Sequence, residues 1–235
     1  MNDWNGVFTR EVQHDRYGNF EELFGEVGNS TVLDYGGNSG NLLHFSEGKI
    51  KQENYTCVDL NSEALATGQA DYPDATWILS NRYSWIYNYD GVKEFPALSS
   101  NYDYTFSYSV FSHTDFTELV ETLKWMREFN PKGMAHSVLL TTDTVIANWF
   151  WHRRVQEYGK CIDYRDNIKN CKNVFSVMDN NMIIESQKTY GHFPYRHIIT
   201  FYDKEWLISE LAKEGLDVEI IKPTYCYQSF IVWKK

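Results

Sequence analysis

Two aspartates and a cluster of small residues set the chemistry open to this chain. Asp34 precedes the run Tyr35-Gly36-Gly37-Asn38-Ser39-Gly40, and Asp59 follows Gly40 by 19 residues. Glycine lets a backbone bend sharply and lets a ligand approach with no Cβ in the way. Asn38 is one of the few residue types besides glycine that accept a left-handed conformation. A strict G-x-G-x-x-G dinucleotide fingerprint needs glycine at 35, 37 and 40, and position 35 is Tyr. A carboxylate at Asp34 would repel a pyrophosphate and attract an ammonium or sulfonium group. Asp59 stands where an acidic side chain accepts both hydroxyls of a ribose. Two acids around a glycine turn describe a positively charged nucleoside better than a nicotinamide dinucleotide.

The elements that must hold these residues follow from hydrophobic patterning. Short apolar strands are expected at Thr31–Tyr35, Tyr55–Asp59, Ala75–Leu79, Tyr102–Ser107 and Ala135–Thr142, with later ones at Ile198–Phe201, Asp217–Lys222 and Tyr227–Trp233. Helices alternate with them: one near Asn19–Glu26, one capped by Asn61 and one following Thr114 or Asp115. That last helix carries Phe116, Leu119, Val120, Leu123 and Met126 on one face. A further helix is capped by Asp203 and stopped by Gly215. Alternation of this kind predicts an open, mainly parallel α/β sheet covered on both faces. The last two strands lie a hairpin's length apart, so the final one is expected to be antiparallel. In such a sheet, ligands lie beyond the C-terminal strand ends. Residues 144–194 interrupt the alternation with an expected helix at Val145–Tyr158 followed by a polar, irregular stretch. Residues 1–30 are polar and aromatic.

The segment Val32–Gly40 resembles the first motif of class I S-adenosylmethionine-dependent methyltransferases, acid-x-Gly-x-Gly-x-Gly, with Asn38 in place of the middle glycine. Cys57-Val58-Asp59-Leu60 resembles the second motif, and Phe106–His113 resembles the fourth. The segment from Ile198 to Leu216 looks like the family's late strand and helix. This resemblance implies a Rossmann-like seven-stranded sheet of order 3-2-1-4-5-7-6 with the last strand antiparallel. It implies that Asp59 and Leu60 bind the adenosine of S-adenosylmethionine. The turn with Asp34, Gly36, Gly37, Asn38 and Gly40, together with Ser107 and Tyr108, then receives the methionine end. The loop after the third strand normally covers adenine; here it reads Ser80-Asn81-Arg82, where the family often has an acid. One domain is expected throughout, with residues 1–30 as an N-terminal cap and 144–194 as a lid whose aromatics (Trp149-Phe150-Trp151 and Tyr190–Tyr195) wall the site.

Methyl transfer is an in-line displacement at carbon, and the sulfonium is already a good leaving group. The protein mainly holds the nucleophile about 3 Å from the methyl. A general base contributes only when the acceptor arrives protonated. His113, just past the fourth strand, and Asp143, after the fifth, are candidates for that base. Tyr190 and His192 could reach the site from the interrupting segment. Asp143 with Asp166 and Asn167 is similar to the ligand set of metal-dependent catechol methyltransferases, but the first acid follows the wrong strand. No metal is expected.

Composition narrows the partners. The net charge is −10 and basic residues are scattered, whereas a nucleic-acid binder presents a basic face. With 43% hydrophobic residues and no long apolar run, neither disorder nor a membrane span is expected. Four cysteines without a C-x-x-C pair fit reduced thiols in the cytoplasm. The expected function is methyl transfer to an O or N nucleophile of a small molecule, by a monomer or homodimer. The alternatives are a reaction that consumes S-adenosylmethionine itself, by cyclisation or aminocarboxypropyl transfer, and a binding protein without catalysis.

Overall fold

The structure is a computed structural model that describes residues 15–84, 88, 90–98, 101–114, 116–140, 174–176, 200–224, 226 and 228–235. Asp143, Tyr190, His192, Asp166, Asn167, the expected helix Val145–Tyr158 and both lid aromatic clusters lie outside these residues.

Five parallel strands form the centre: β1 Val32–Tyr35, β2 Tyr55–Asp59, β3 Thr76–Leu79, β4 Tyr104–Ser107 and β5 Gly133–Leu140, in spatial order β3-β2-β1-β4-β5. Two further strands come from an intervening stretch: β6 Val174–Ser176 and β7 Thr200–Tyr202. The chain ends in β8 Glu219–Ile221 and β9 Ser229–Lys234, with β9 antiparallel to both β5 and β8. With β8 and β9 as strands six and seven, the expected order 3-2-1-4-5-7-6 is observed. The sequence reading misses one addition. β5 pairs with β9 through Val138, and then Leu139 and Leu140 pair in parallel with Phe201 and Tyr202 of β7, which is antiparallel to β6. β6 falls in the stretch read as irregular.

The helices are α1 Asp15–Phe24, α2 Asn41–Phe45, α3 Ser62–Asp71, α4 Phe116–Glu128 and α5 Lys204–Lys213. All eight residues of β5 are buried, as a strand covered on both faces requires. Its side chains alternate between two cores. Ala135 joins Phe20, Leu42, Leu65, Phe106 and Phe230 under α1, α2 and α3. Met134, Val138 and Leu140 join Leu119, Leu123, Met126, Leu207 and Leu211 under α4 and α5.

Local chemistry sets the helix ends. Asn61 Oδ1 accepts from the backbone N–H groups of Glu63 and Ala64, both at 3.1 Å, and starts α3. Asp203 Oδ1 accepts from Trp206 N at 2.9 Å and starts α5. Asn61→Ala is expected to cost about 1 kcal/mol of stability, read as a shift in the urea unfolding midpoint. Helix α1 lies earlier than the expected Asn19–Glu26. Arg16 and Asn19 sit on its buried face beside Tyr17, Phe20 and Leu23, and these two polar residues disguise the apolar stripe. Gly25, at φ 72°, ends the helix.

Candidate functional site

The turn after β1 is built from three left-handed residues at alternate positions: Gly36 at φ 73°, Asn38 at 58° and Gly40 at 78°. Asn38 therefore supplies the conformation that a glycine would, and its Oδ1 accepts from Ser39 N at 2.8 Å. The turn is packed from several sides. A Cβ on Gly36 would overlap Val110 Cγ2, from the loop after β4. A Cβ on Gly37 would lie 2.6 Å from Asp34 Oδ2 and 2.8 Å from Cys57 Sγ. One on Gly40 would lie 2.5 Å from the Trp77 ring of β3.

The two carboxylates flank this turn. Asp34 is 2% exposed, beneath Gly37, and its Oδ2 accepts from the Tyr55 hydroxyl at 2.6 Å. Burial pushes its pKa up to about 6, although the Tyr55 hydrogen bond and the charge of Arg16 pull the other way. Burial and the Asp34 charge in turn push the Tyr55 phenol well up. Asp59, at the end of β2, reaches the turn from the other side: its Oδ2 accepts from Asn38 N at 2.8 Å and its Oδ1 from Asn61 N at 2.8 Å. Burial raises its pKa too, partly offset by those backbone N–H groups. A single side chain thus fixes the glycine turn, the start of α3 and its own orientation.

Arg16 of α1 has no signal in the sequence. It is 9% exposed, lies 5.2 Å over the Tyr108 ring, and its charge bears on both Asp34 and Asp59. Its Nε is buried without a hydrogen-bond partner among the described residues. A buried guanidinium nitrogen left unmatched is costly and marks a place where an external acceptor can sit.

The remaining expected residues divide. Ser107 ends β4 and Tyr108 follows it, at the same end of the sheet as Gly36 and Asp59. Ser107 Oγ bonds His136 Nδ1 at 2.9 Å, and His136 Nε2 meets Thr105 Oγ1 at 3.2 Å. Full burial drops the His136 pKa to about 3, so this histidine is neutral and ties β4 to β5. His113 lies on the 3-10 turn Phe111–His113 beyond β4, which packs against β5 and β7. Leu60 is half-buried directly after Asp59. Ser80 is buried and its Oγ accepts from Arg82 N at 3.2 Å, while Asn81 is exposed and its Oδ1 accepts from Asn88 Nδ2 at 3.1 Å. Arg82 is turned inward: its guanidinium bonds Glu121 of α4 and the Lys93 carbonyl and stacks 3.6 Å over Phe95. Its side chain thus ties the loop after β3 to α4.

No protein-family model matches the sequence, and neither does any curated protein. Solved structures do match its fold. The PH0226 protein from Pyrococcus horikoshii aligns with a TM-score of 0.63 at 12% identity, over 100% of this chain and 99% of that one. The 1,6-didemethyltoxoflavin-N1-methyltransferase of Burkholderia thailandensis, with 1,6-didemethyltoxoflavin and S-adenosylhomocysteine bound, aligns at 0.55 and 12% identity, over 98% and 80% of the two chains. The magnesium protoporphyrin IX methyltransferase of Synechocystis, with S-adenosylhomocysteine bound, aligns at 0.52 and 9% identity, over 95% and 81%. At these identities the likeness is one of fold: the chain shares the sheet arrangement of these structures, two of which are methyltransferases.

Proposed function

We propose that this protein binds S-adenosylmethionine and transfers its methyl group to an oxygen or nitrogen of a small-molecule acceptor. The observation that carries this reading is the pair of carboxylates, Asp34 and Asp59, on opposite sides of a turn with three left-handed residues. The surroundings fit such a ligand. The bare backbone at Gly36 and Gly37 makes a cradle, and the Arg16 guanidinium has an unmatched nitrogen. Fold likeness to two methyltransferases with S-adenosylhomocysteine bound supports it further.

In this reading Asp59 receives the ribose hydroxyls on the lone pairs left by Asn38 N and Asn61 N, and Leu60 packs on the adenine. Ser80 and Asn81 border the adenine; Arg82 does not. Asp34 favours the positive charge of the methionine end, and Arg16 takes its carboxylate. The backbone at Ser107 and Tyr108 closes that end. Bound S-adenosylmethionine supplies an activated methyl, so the chain's own work is orientation. His113 is the candidate base on the described side of the site; Asp143, Tyr190 and His192 are candidates from the 144–194 segment. That segment as a lid and residues 1–30 as a cap are part of the proposal, as is a single domain.

Calorimetry with S-adenosylhomocysteine tests the reading. Micromolar binding is expected, and Asp59→Ala is expected to weaken it by about 1–3 kcal/mol, since ribose hydroxyls and two backbone N–H groups lose their acceptor. An unchanged dissociation constant would remove the ribose assignment. Turnover with candidate acceptors should release S-adenosylhomocysteine; release of methylthioadenosine would instead mean that the cofactor is the substrate.

A further inference from the structure

A second cluster lies at the same end of the sheet, displaced from Asp59 toward β5 and β9. Gln228 directly precedes β9, whose first residue, Ser229, pairs with Val138 near the C-terminal end of β5. It is 2% exposed. Its Nε2 donates to Ser109 Oγ at 3.1 Å. Ser109, two residues past β4, holds a left-handed φ of 62°, and its N–H donates to Ser137 Oγ at 2.6 Å. Non-glycine residues hold such a conformation only where their surroundings impose it.

Two serine hydroxyls surround the Gln228 amide. Ser112 Oγ donates to the Ser109 carbonyl at 3.2 Å. The Ser109 and Ser112 hydroxyls lie 3.4 Å apart. The group of Gln228 that faces Ser109 Oγ is its amide N–H. The amide oxygen faces the other way. Gln228 Oε1 is buried and finds no hydrogen-bond partner among the described residues. A buried carbonyl with an unmet lone pair calls for a donor.

We propose that Gln228 Oε1 is the acceptor-orienting group: it takes a hydrogen bond from an N–H or O–H of the molecule to be methylated. This inference rests on the reading given under Proposed function. It places the adenosine over β2, the methionine end over the turn after β1, and the second reactant over β4, β5 and β9. The substrate class is uncharged or cationic, with a hydrogen-bond donor near its nucleophilic atom. A carboxylate-bearing acceptor is disfavoured, because two oxygens without a proton would face each other.

The test uses the full-length protein saturated with S-adenosylhomocysteine and ligand-observed NMR. Two probe pairs differ only in the donor: 2-pyridone against 1-methyl-2-pyridone, and phenol against anisole; benzoate serves as the anion. At least one donor probe is expected to bind about tenfold more tightly than its methylated partner and than benzoate. Gln228→Leu is expected to erase that preference, and Gln228→Glu, which keeps an oxygen in place, to retain it. Affinity for S-adenosylhomocysteine should stay within about twofold in both variants. The proposal is overturned if neither donor probe binds the wild type, if methylated and unmethylated probes bind alike, or if benzoate binds best. It is also overturned if Gln228→Leu leaves the preference intact or weakens the cofactor product as much as the probes. If Gln228→Leu does not fold, the wild-type preferences and Gln228→Glu decide. Absence of S-adenosylhomocysteine binding to the wild type is read before any probe is added and overturns the proposed function itself.

Discussion

Asp34→Asn is expected to stabilise the folded chain at about pH 7.5 by about 3 kcal/mol while weakening S-adenosylhomocysteine binding by about 1.5–3 kcal/mol. Moving a carboxyl from 3.8 to about 6 disfavours its ionised form in the folded state by about 3 kcal/mol. The native state therefore holds a proton that the unfolded chain releases between pH 3.8 and about 6. The stability from that proton is complete below 3.8 and is lost as pH rises through about 6. The raw stability curve would hide this. His136, with a pKa lowered to about 3, is neutral when folded and protonates when unfolded, so it removes stability as pH falls from 6.5 toward 3. The difference between wild type and Asp34→Asn, measured by urea unfolding across that range, isolates the carboxyl and should grow with pH. A difference that is flat with pH would mean Asp34 ionises normally. A cationic ligand would also favour the ionised form, so binding near pH 6 should release protons, read by calorimetry in buffers of different ionisation enthalpy.

Gly36→Ala is expected to destabilise by about 2–5 kcal/mol. A φ of 73° costs an L-residue about 1–2 kcal/mol. The new methyl would also meet Val110 Cγ2, an overpacking that costs about 1–3 kcal/mol. Combining it with Val110→Ala should recover the second part and leave the first, seen as two separate urea midpoints. Full recovery would show that backbone conformation at Gly36 carries no cost. In both variants S-adenosylhomocysteine affinity should fall, because the turn that Asn38 and Asp59 hold together is displaced.

What the sequence disclosed was local. The strand before Asp34, the turn and Asp59 were legible because each is written in a few consecutive residues, and the left-handed tolerance of Asn38 is a property of its own side chain. The inward packing of Arg82 was not legible because its partner Glu121 is 39 residues away and its ring partner, Phe95, carries no mark of that role. Arg16 was missed for the opposite reason: a charged residue on the apolar face of α1 lowers the helical signal that would have drawn attention to it. Gln228 was hidden inside a segment read as strand, and only its pairing against Ser109, 119 residues earlier, exposes its unmet oxygen. Strand β7 was legible, as the expected strand Ile198–Phe201, but β6 was not, because a three-residue strand carries too little alternation to distinguish it from loop.

The handover along β5 has a further consequence. Strand β5 ends at Leu140 and β7 begins at Thr200, with β6 between them in the chain and paired to β7, and Leu139 and Leu140 lie beside Phe201 and Tyr202. Departure and arrival are neighbouring points clamped by the same ladder. Closing a segment between fixed, adjacent ends costs only about 0.6 kcal/mol more when its length doubles. Lengthening the chain on either side of β6 is thus expected to cost the framework little, so long as β6 keeps its pairing with β7.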